Sequence, residues 1–155
     1  MTKKMAIIAT KGTLDMAYPP FILASTAAAL GYDVQVFFTF YGLQLLKKDL
    51  SDVKISPLAN PAMPMPVPMP VLVQILPGME SMATMMMKDK LKKKGVASLE
   101  ELRSLCQEAD VKFVACQMTV DLFEFEKNDF IDGIEYGGAA TFMEFAGETD
   151  ICLFV

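Results

Sequence analysis

Short apolar runs alternate with segments of helical pattern along almost the whole of this 155-residue chain. Five runs have the character of strands: Met5–Ala9, Tyr32–Phe38, Val111–Cys116, Gly133–Tyr136 and Asp150–Val155. Because helical segments separate them, consecutive strands need crossover connections, which produce a mostly parallel sheet with helices on both faces. The alternation therefore predicts a three-layer α/β/α fold with about five strands. The hydrophobic content of 53% suffices for one core, and we expect a single domain over residues 1–155.

The first part of the chain predicts a strand–helix–strand unit. The turn Thr10–Thr13 follows the opening strand, and we expect the next helix to hold Pro19 and Pro20 in its first turn, where proline is tolerated. Gly31 ends that helix, and the second strand follows directly, as a right-handed parallel crossover requires. A short helix, Gly42–Lys48, is predicted next.

Residues 55–79 carry no charge, a length that raises the question of a membrane span. Prolines are dense in this window, and those at 64, 66, 68 and 70 cannot fit inside a continuous helix. We therefore interpret residues 55–77 as an extended arm rich in methionine and proline. So apolar a surface is normally covered. Three coverings are open: a neighbouring subunit, which we favour, the arm's own domain, or shallow contact with a membrane.

Two helices are predicted before the third strand. The first, Gly78–Lys94, has Met79, Met82, Met86 and Leu91 on or near one face. This stripe indicates packing in a core or an interface. A soft-metal site is disfavoured, because neither cysteine nor histidine accompanies the methionines.

The second of these helices begins at a capping box, Ser98 to Glu101, and extends through Ala109. Its buried face is expected to comprise Leu99, Leu102, Leu105 and Cys106. After the third strand, further helices are predicted over Met118–Glu126 and Gly138–Ala146. The final apolar strand is expected to be buried on both faces, which makes Cys152 a core residue.

The chain contains no histidine, which excludes Ser-His-Asp and Cys-His nucleophile pairs and histidine-containing metal sites. We predict no metal site and no cofactor. The net charge of −5 argues against binding of nucleic acid. Five lysines do cluster between Lys88 and Lys94. They suit a docking patch for an acidic partner, but the ordinary preference of helix ends for cations accounts for them more simply.

The three cysteines, Cys106, Cys116 and Cys152, show no short-range pairing pattern and cannot all pair within one chain. This favours a reducing compartment. The apolar run Met5–Ala9 is too short for the core of a signal peptide. We therefore expect a cytoplasmic protein.

Cys116 is the candidate reactive residue. It ends an apolar strand and directly precedes a predicted helix, so its sulfur can lie near unpaired backbone N–H groups that favour thiolate over thiol. A thiolate is what sulfur-transfer chemistry needs. The alternative is an inert core cysteine, because free cysteine is among the most buried residue types.

Several segments together resemble the DsrE/DsrF-like family, most closely its DsrE2-type branch. They are the opening strand with its Lys-Gly-Thr turn, the Pro-Pro helix, the run GYDVQVFFTFYG over residues 31–42, the middle rich in Met and Pro, and ACQMT over residues 115–119. The resemblance spans nearly the whole chain. It implies a flavodoxin-like fold, homo-oligomers, and a cysteine that carries sulfane sulfur as a persulfide in sulfur relay or sulfur oxidation. The matching cysteine is Cys116.

The resemblance also implies partner proteins, one that donates sulfur and one that accepts it, and in some members peripheral membrane contact, which here would involve residues 55–77. A persulfide anion needs stabilising groups around it, and Gln117, Met118 and Thr119 at the start of the helix are candidates. The loop Lys11, Gly12 and Thr13 follows the first strand at the same sheet edge, so Lys11 could supply a cation.

Two other functions remain open. An oligomeric scaffold would use the arm for assembly without any role for Cys116. A thiol redox protein would pair Cys116 with a second cysteine, and since no C-x-x-C is present that cysteine would come from another chain.

Overall fold

The structure is a computed structural model, and it describes residues 1–55, 62 and 70–155. These residues form the strands β1 (Lys4–Ala9), β2 (Asp33–Phe38), β3 (Lys112–Cys116), β4 (Glu135–Gly137) and β5 (Ile151–Phe154). The α-helices are α1 (Leu14–Ala29), α2 (Val71–Gln74), α3 (Met79–Lys93), α4 (Leu99–Glu108), α5 (Gln117–Leu122) and α6 (Ala139–Ala146). Short 3-10 helices at Phe40–Leu46 and Lys127–Asp129 follow β2 and precede β4.

The strands form one parallel sheet in the order β4-β3-β2-β1-β5. Helices α1 and α4 pack on one face and α6 packs on the other, so the predicted three-layer α/β fold with a parallel five-stranded sheet is confirmed. The strand order differs from the order 2-1-3-4-5 of flavodoxin itself, because here the last strand occupies the place beside β1. The carboxyl ends of all five strands lie at one edge of the sheet, and that edge carries the candidate site.

The larger core lies between the sheet and helices α1 and α4. Alternate strand residues point into it, among them Ile7 and Val36, as the two-residue period of a strand requires. The rings of Phe21, Phe38 and Phe113 contact one another with centroids 5.3 to 5.9 Å apart, and all three are buried. Each fully buried side chain of this kind contributes roughly 1.5–3 kcal/mol to stability.

The opposite face carries a smaller core, in which Ala6, Phe37, Val114 and Cys116 pack with Phe142 of α6. The rings of Phe37 and Phe142 stack with their centroids 4.7 Å apart. Because α6 has only eight residues, it covers the middle of the sheet, and Ile151 and Phe154 of β5 remain exposed.

The prediction that the final strand is buried on both faces is wrong. Phe154 is 70% exposed and Ile151 is 37% exposed, and Cys152 is exposed as well, whereas Leu153 packs against the larger core. The reason is the strand order, which puts β5 at an edge of the sheet. An apolar run looks the same in a central strand and in an edge strand.

Helix α1 begins at Leu14, so Pro19 and Pro20 lie in its second turn, and the prediction of a first-turn position is wrong. The two prolines remove two donors from the hydrogen-bond ladder of the helix. Packing compensates, because Phe21 and Ala24 of the same helix are completely buried against the sheet.

The capping box of α4 is confirmed. Ser98 Oγ accepts a hydrogen bond from the Glu101 N–H at 3.2 Å, and the Glu101 carboxylate accepts one from the Ser98 N–H at 3.2 Å. Cys106 is buried as expected, but Leu105 is 50% exposed, so its predicted burial is wrong.

Arg103 occupies the buried face of α4 in place of Leu105. Leu99, Arg103 and Cys106 recur at the spacing of one helix face, and position 105 lies about a third of a turn away from the centre of that face. The Arg103 guanidinium donates to the backbone carbonyls of Leu45 at 2.9 Å and Lys47 at 2.6 Å, which accounts for a charged side chain in this place.

Most of the predicted arm, residues 56–61 and 63–69, lies outside the described residues. Ile55 is buried just before it, and the Ile55 N–H donates to Thr84 Oγ1 of α3 at 3.0 Å.

Met82 and Met86 of α3 are 43% and 41% exposed, so the methionine stripe does not form a core, and its role in an interface stays a prediction. Across residues 1–55 and 70–155, no helix is long and apolar enough to span a membrane.

Other boundaries differ from the predictions by a few residues. The 3-10 helix Phe40–Leu46 stands where a helix over residues 42–48 was expected, and β4 ends at Gly137. Helix α5 ends at Leu122 and does not continue to position 126, because Glu124 has a left-handed backbone conformation with φ of 56°.

Candidate functional site

Cys116 is both the last residue of β3 and the N-cap residue of α5, at the carboxyl edge of the sheet. Its backbone is still extended, with φ of −67° and ψ of 110°, and the helix begins at the next residue. The side chain points to the α6 face and is only 4% exposed. The sulfur is therefore buried at the junction of a strand and a helix, and we call this buried position the recess.

Polar groups near the Cys116 sulfur oppose the effect of its burial on the pKa. Burial raises the pKa of this thiol, but donors on Thr119, Thr39 and Met118 together lower the pKa below its ordinary value. Thr119 acts through its hydroxyl and its backbone N–H, Thr39 through its hydroxyl, and Met118 through its backbone N–H. Each of these bonds stabilises the thiolate more than the thiol. The surroundings of Cys116 therefore shift its equilibrium toward the thiolate.

Thr119 is held in place by the segment that follows β2. Its Oγ1 lies 3.2 Å from Thr39 Oγ1 and accepts a hydrogen bond from the Phe40 N–H at 3.3 Å. Each hydroxyl has one hydrogen, so whichever threonine donates across this contact, the hydroxyl of the other is free to donate to sulfur. Phe40 has a φ of 50°, a left-handed conformation that is uncommon for an aromatic residue.

Thr39 was missed in the sequence analysis, although a signal for it exists. In the parallel pairing of β2 with β3, Phe38 lies opposite Ala115. Thr39 directly follows Phe38, and Cys116 directly follows Ala115. A hydroxyl at the end of the second strand could therefore have been placed beside the candidate thiol.

Gln117 and the loop Lys11–Thr13 have other surroundings. The Gln117 amide donates to Asp121 Oδ1 at 2.8 Å, within its own helix. Lys11, Gly12 and Thr13 line a cavity of about 440 Å³ that also contains Tyr41, Gln44, Lys47 and Asp52. Among the described residues, then, the structure gathers Met118, Thr119 and Thr39 around the sulfur and places the loop after β1 along a cavity that Tyr41 also lines.

The surface beside the recess is apolar. Phe40 and Tyr41 are 44% and 64% exposed, and Met118 and Leu122 of α5 are 62% and 58% exposed. Phe40 and Tyr41 both contact the ring of Phe123. We call the four exposed residues the rim. Exposed aromatic residues and methionine are typical of protein–protein interfaces, whereas a binding site for a charged small molecule would carry charged side chains.

The other two cysteines lie in different environments. Cys106 is completely buried in the larger core, its Sγ donates to the Phe21 carbonyl at 3.4 Å, and burial raises the pKa of its thiol to about 11. Cys152 is exposed on the edge strand, which corrects the prediction of a core position. All three cysteines are free thiols.

Comparison with known proteins identifies a matching protein family and two similar proteins. The model of the DsrE/DsrF/DrsH-like family matches residues 1–154. A "Sulfur carrier protein DsrE2" of Allochromatium vinosum is 70% identical over 157 residues, which cover 99% of this chain and 98% of that protein. The uncharacterized protein YrkE of Bacillus subtilis is 33% identical over 158 residues, covering 99% of this chain and 98% of YrkE.

A solved structure is similar in fold. The crystal structure of the ychN protein from E. coli aligns with a TM-score of 0.56 at 11% sequence identity, covering 99% of this chain and all of that one. At this identity the similarity concerns the fold alone.

Proposed function

The chain belongs to the DsrE/DsrF/DrsH-like family, and from that premise we propose that it is a sulfur carrier that holds sulfane sulfur as a persulfide on Cys116. The supporting observation is the recess of Cys116, where hydrogen bonds from Thr119, Thr39 and Met118 lower the pKa of the thiol despite its burial. The name of the 70% identical relative agrees with this chemistry. Donor and acceptor proteins, a homo-oligomeric state and a cytoplasmic location belong to the same proposal.

The transfer consists of two displacements at sulfur. The Cys116 thiolate attacks the outer sulfur of a donor persulfide, a new S–S bond forms, and the donor's S–S bond breaks with its electron pair leaving on the donor thiolate. An acceptor thiolate then attacks the outer sulfur of the Cys116 persulfide, and Cys116 leaves as a thiolate. No external oxidant or reductant is needed, because each step exchanges one S–S bond for another.

The donors around Cys116 serve both forms of the site. In the empty form they stabilise the attacking thiolate, and in the loaded form the same N–H and hydroxyl groups can stabilise the persulfide anion. The 4% exposure of Cys116 means that a partner must bring its own sulfur into the recess. The apolar rim offers a surface on which such a partner can dock while the exchange takes place.

An internal thiol redox pair is disfavoured by the fold. Cys106 belongs to the core on one face of the sheet and Cys116 to the core on the other. Cys152 lies three strands from β3 in the sheet, at least about 14 Å away at the usual strand spacing. A disulfide requires Cα atoms within about 7 Å, so neither cysteine can resolve an oxidised Cys116 in the same chain.

The test is intact-mass analysis of the full chain after incubation with a sulfane-sulfur donor. We expect an adduct of one sulfur atom per chain that a reductant removes. The Cys106→Ser protein should keep it, and the Cys116→Ser protein should lose it. All measurements are best made on a Cys152→Ser background, because the exposed Cys152 can itself collect sulfur in solution. An adduct that persists in Cys116→Ser would refute the proposal and leave the scaffold function in front.

A further inference from the structure

The segment that follows β2, residues 39–42, lies tightly against the end of β1 and the loop after it, and we call it the crossing segment. We propose that Gly12 and Gly42 are positioning residues for Cys116: without side chains, they let the crossing segment lie close enough to hold two hydroxyl groups beside the sulfur. The importance of this role for sulfur transfer rests on the proposed function, whereas its effect on the thiol can be measured without any transfer.

Gly42 is buried against the carbonyl group of Ala9, the last residue of β1. A Cβ atom on Gly42 would overlap the Ala9 oxygen and lie 2.8 Å from the Ala9 carbonyl carbon. The φ of Gly42 is not positive, so glycine is required here by close approach and not by backbone conformation. Any side chain at this position would push the crossing segment away from β1.

Gly12 contacts the same segment from the loop after β1. A Cβ atom on Gly12 would lie 2.5 Å from the backbone oxygen of Tyr41 and 3.2 Å from Cβ of Gln44. A backbone oxygen cannot turn aside as the end of a long side chain can, so the crossing segment itself would have to move. In this role the loop Lys11–Thr13, which was expected to supply a cation, influences the thiol through packing instead of charge.

Hydrogen bonds fix the crossing segment in the same place. The Thr39 N–H donates to Ala9 O at 3.1 Å, and the Gly42 N–H donates to Thr39 O at 3.0 Å. The oxygen that anchors Thr39 is thus the one that a side chain at position 42 would displace. Between these residues Phe40 has φ of 50°, a backbone conformation that persists only where surrounding contacts impose it.

The position of the crossing segment determines how the hydroxyl groups meet the sulfur. Thr39 Oγ1 lies 3.2 Å from Thr119 Oγ1, and the Phe40 N–H donates to that oxygen at 3.3 Å. Both contacts are long for hydrogen bonds, which weaken steeply as their geometry departs from the optimum. A small displacement of the segment would weaken both contacts and withdraw the Thr39 hydroxyl from Cys116. The N–H donors of α5, on Met118 and Thr119, would stay in place.

The pH dependence of Cys116 alkylation tests this role on a Cys152→Ser background. Gly42→Ala and Gly12→Ala should each move the profile to higher pH, because the thiolate loses hydroxyl donors. Gly138→Ala is the matched control: a Cβ atom there would meet no described residue within 4 Å, so the profile should stay in place. An unchanged profile in either folded variant would overturn the proposal, and Gly12→Ala decides the question if Gly42→Ala does not fold.

A second measurement separates positioning from a general loss of stability. In a Thr39→Val, Thr119→Val background, Gly12→Ala should no longer move the profile, because no hydroxyl group remains for the crossing segment to position. A shift as large as the one seen with both threonines present would show that Gly12 acts by another route and would overturn the proposal.

The two proposals about Cys116 fail in different experiments. A Cys116 that takes up no sulfur would refute the carrier function and leave the positioning role intact, because alkylation involves no sulfur transfer. Unmoved alkylation profiles beside a normal sulfur adduct would refute the positioning role alone.

Discussion

The state of the Cys116 sulfur depends on two opposing effects that act on one atom. Burial favours the neutral thiol, while the hydroxyl groups of Thr119 and Thr39 and the N–H groups of Thr119 and Met118 favour the anion. The hydrogen bonds prevail, because bonds to a charged acceptor are roughly twice as strong as neutral ones. The threonine hydroxyls are therefore the groups whose removal should alter the thiol most directly.

We expect Thr119→Val and Thr39→Val each to raise the pKa of Cys116, because each change removes a hydroxyl that stabilises the thiolate. The measurement is the pH dependence of Cys116 alkylation on a Cys152→Ser background. Both profiles should shift to higher pH, whereas Thr13→Val, at the cavity beside Lys11, should leave the profile unchanged. A shift to lower pH in the Thr119 variant would contradict the assigned hydrogen bond.

A second prediction at this scale concerns Gln35, whose Oε1 is buried on the α6 face without a hydrogen-bond partner among the described residues. Replacing an unsatisfied buried acceptor by an apolar group of similar shape removes a desolvation penalty. Gln35→Met should therefore raise the free energy of unfolding by about 1 kcal/mol in urea denaturation. A loss of stability of the same size would show that the Gln35 amide makes a stabilising hydrogen bond.

Individual residues of the site differ in how visible they are in the sequence. Cys116, Met118 and Thr119 could be singled out because they are adjacent in the chain and a strand-to-helix junction brings them together. Thr39 lies 77 positions before Cys116, and its role depends on the register of β2 with β3, which no local pattern contains. The position of Lys11 was inferred from the sheet edge alone, and in the structure Lys11 lines a cavity with Tyr41 and Gln44.

At the scale of single elements, local signals were the most dependable. The capping box of α4 was predicted from four consecutive residues and is present in full, because both of its hydrogen bonds are made within one turn. The burial of β5 could not be predicted in the same way, since it depends on which strand lies beside β1 and on how far an eight-residue helix reaches.

Helix α4 provides a direct test of the capping contribution. Ser98→Ala removes the side-chain acceptor for the Glu101 N–H and should lower the free energy of unfolding by about 1 kcal/mol. Ser104→Ala, at an exposed interior position of the same helix, should be neutral or slightly stabilising, because alanine is the better helix former. Equal effects of the two changes in thermal or urea denaturation would mean that the cap does not hold the helix.

Across the whole molecule, the sheet separates two thiols of opposite character. Cys106 lies in the thick core under α1 and α4, where burial raises its pKa from an ordinary 9.0 to about 11, while Cys116 lies beneath α6, where hydrogen bonds lower its pKa. The parallel five-stranded arrangement that creates these two faces was predictable from the alternation of elements. Which cysteine faces which core followed only from the strand registers.

The raised pKa of Cys106 makes stability dependent on alkaline pH. The folded protein holds this proton more tightly than the unfolded chain does, so the stabilisation is complete below about pH 9 and is lost as the pH rises through about 11. The loss should be on the order of 2–3 kcal/mol, because a pKa unit corresponds to about 1.4 kcal/mol. Urea denaturation between pH 8 and 11 should show a steeper decline for the unmodified protein than for Cys106→Ala. Parallel declines would contradict the assignment, and Cys152→Ser serves as the control that retains the steep decline.

In the proposed sulfur carrier, the burial of Cys116 would affect the lifetime of the bound sulfur. A persulfide in free solution leaks its outer sulfur to any thiol that collides with it, at a rate set by the concentration of that thiol. A sulfur atom on a residue that is 4% exposed, behind a rim of apolar side chains, would be protected from most such collisions. Discharge would then depend on the shape of the visiting protein and far less on the reducing strength of its surroundings, which allows a labile atom to be stored without being lost.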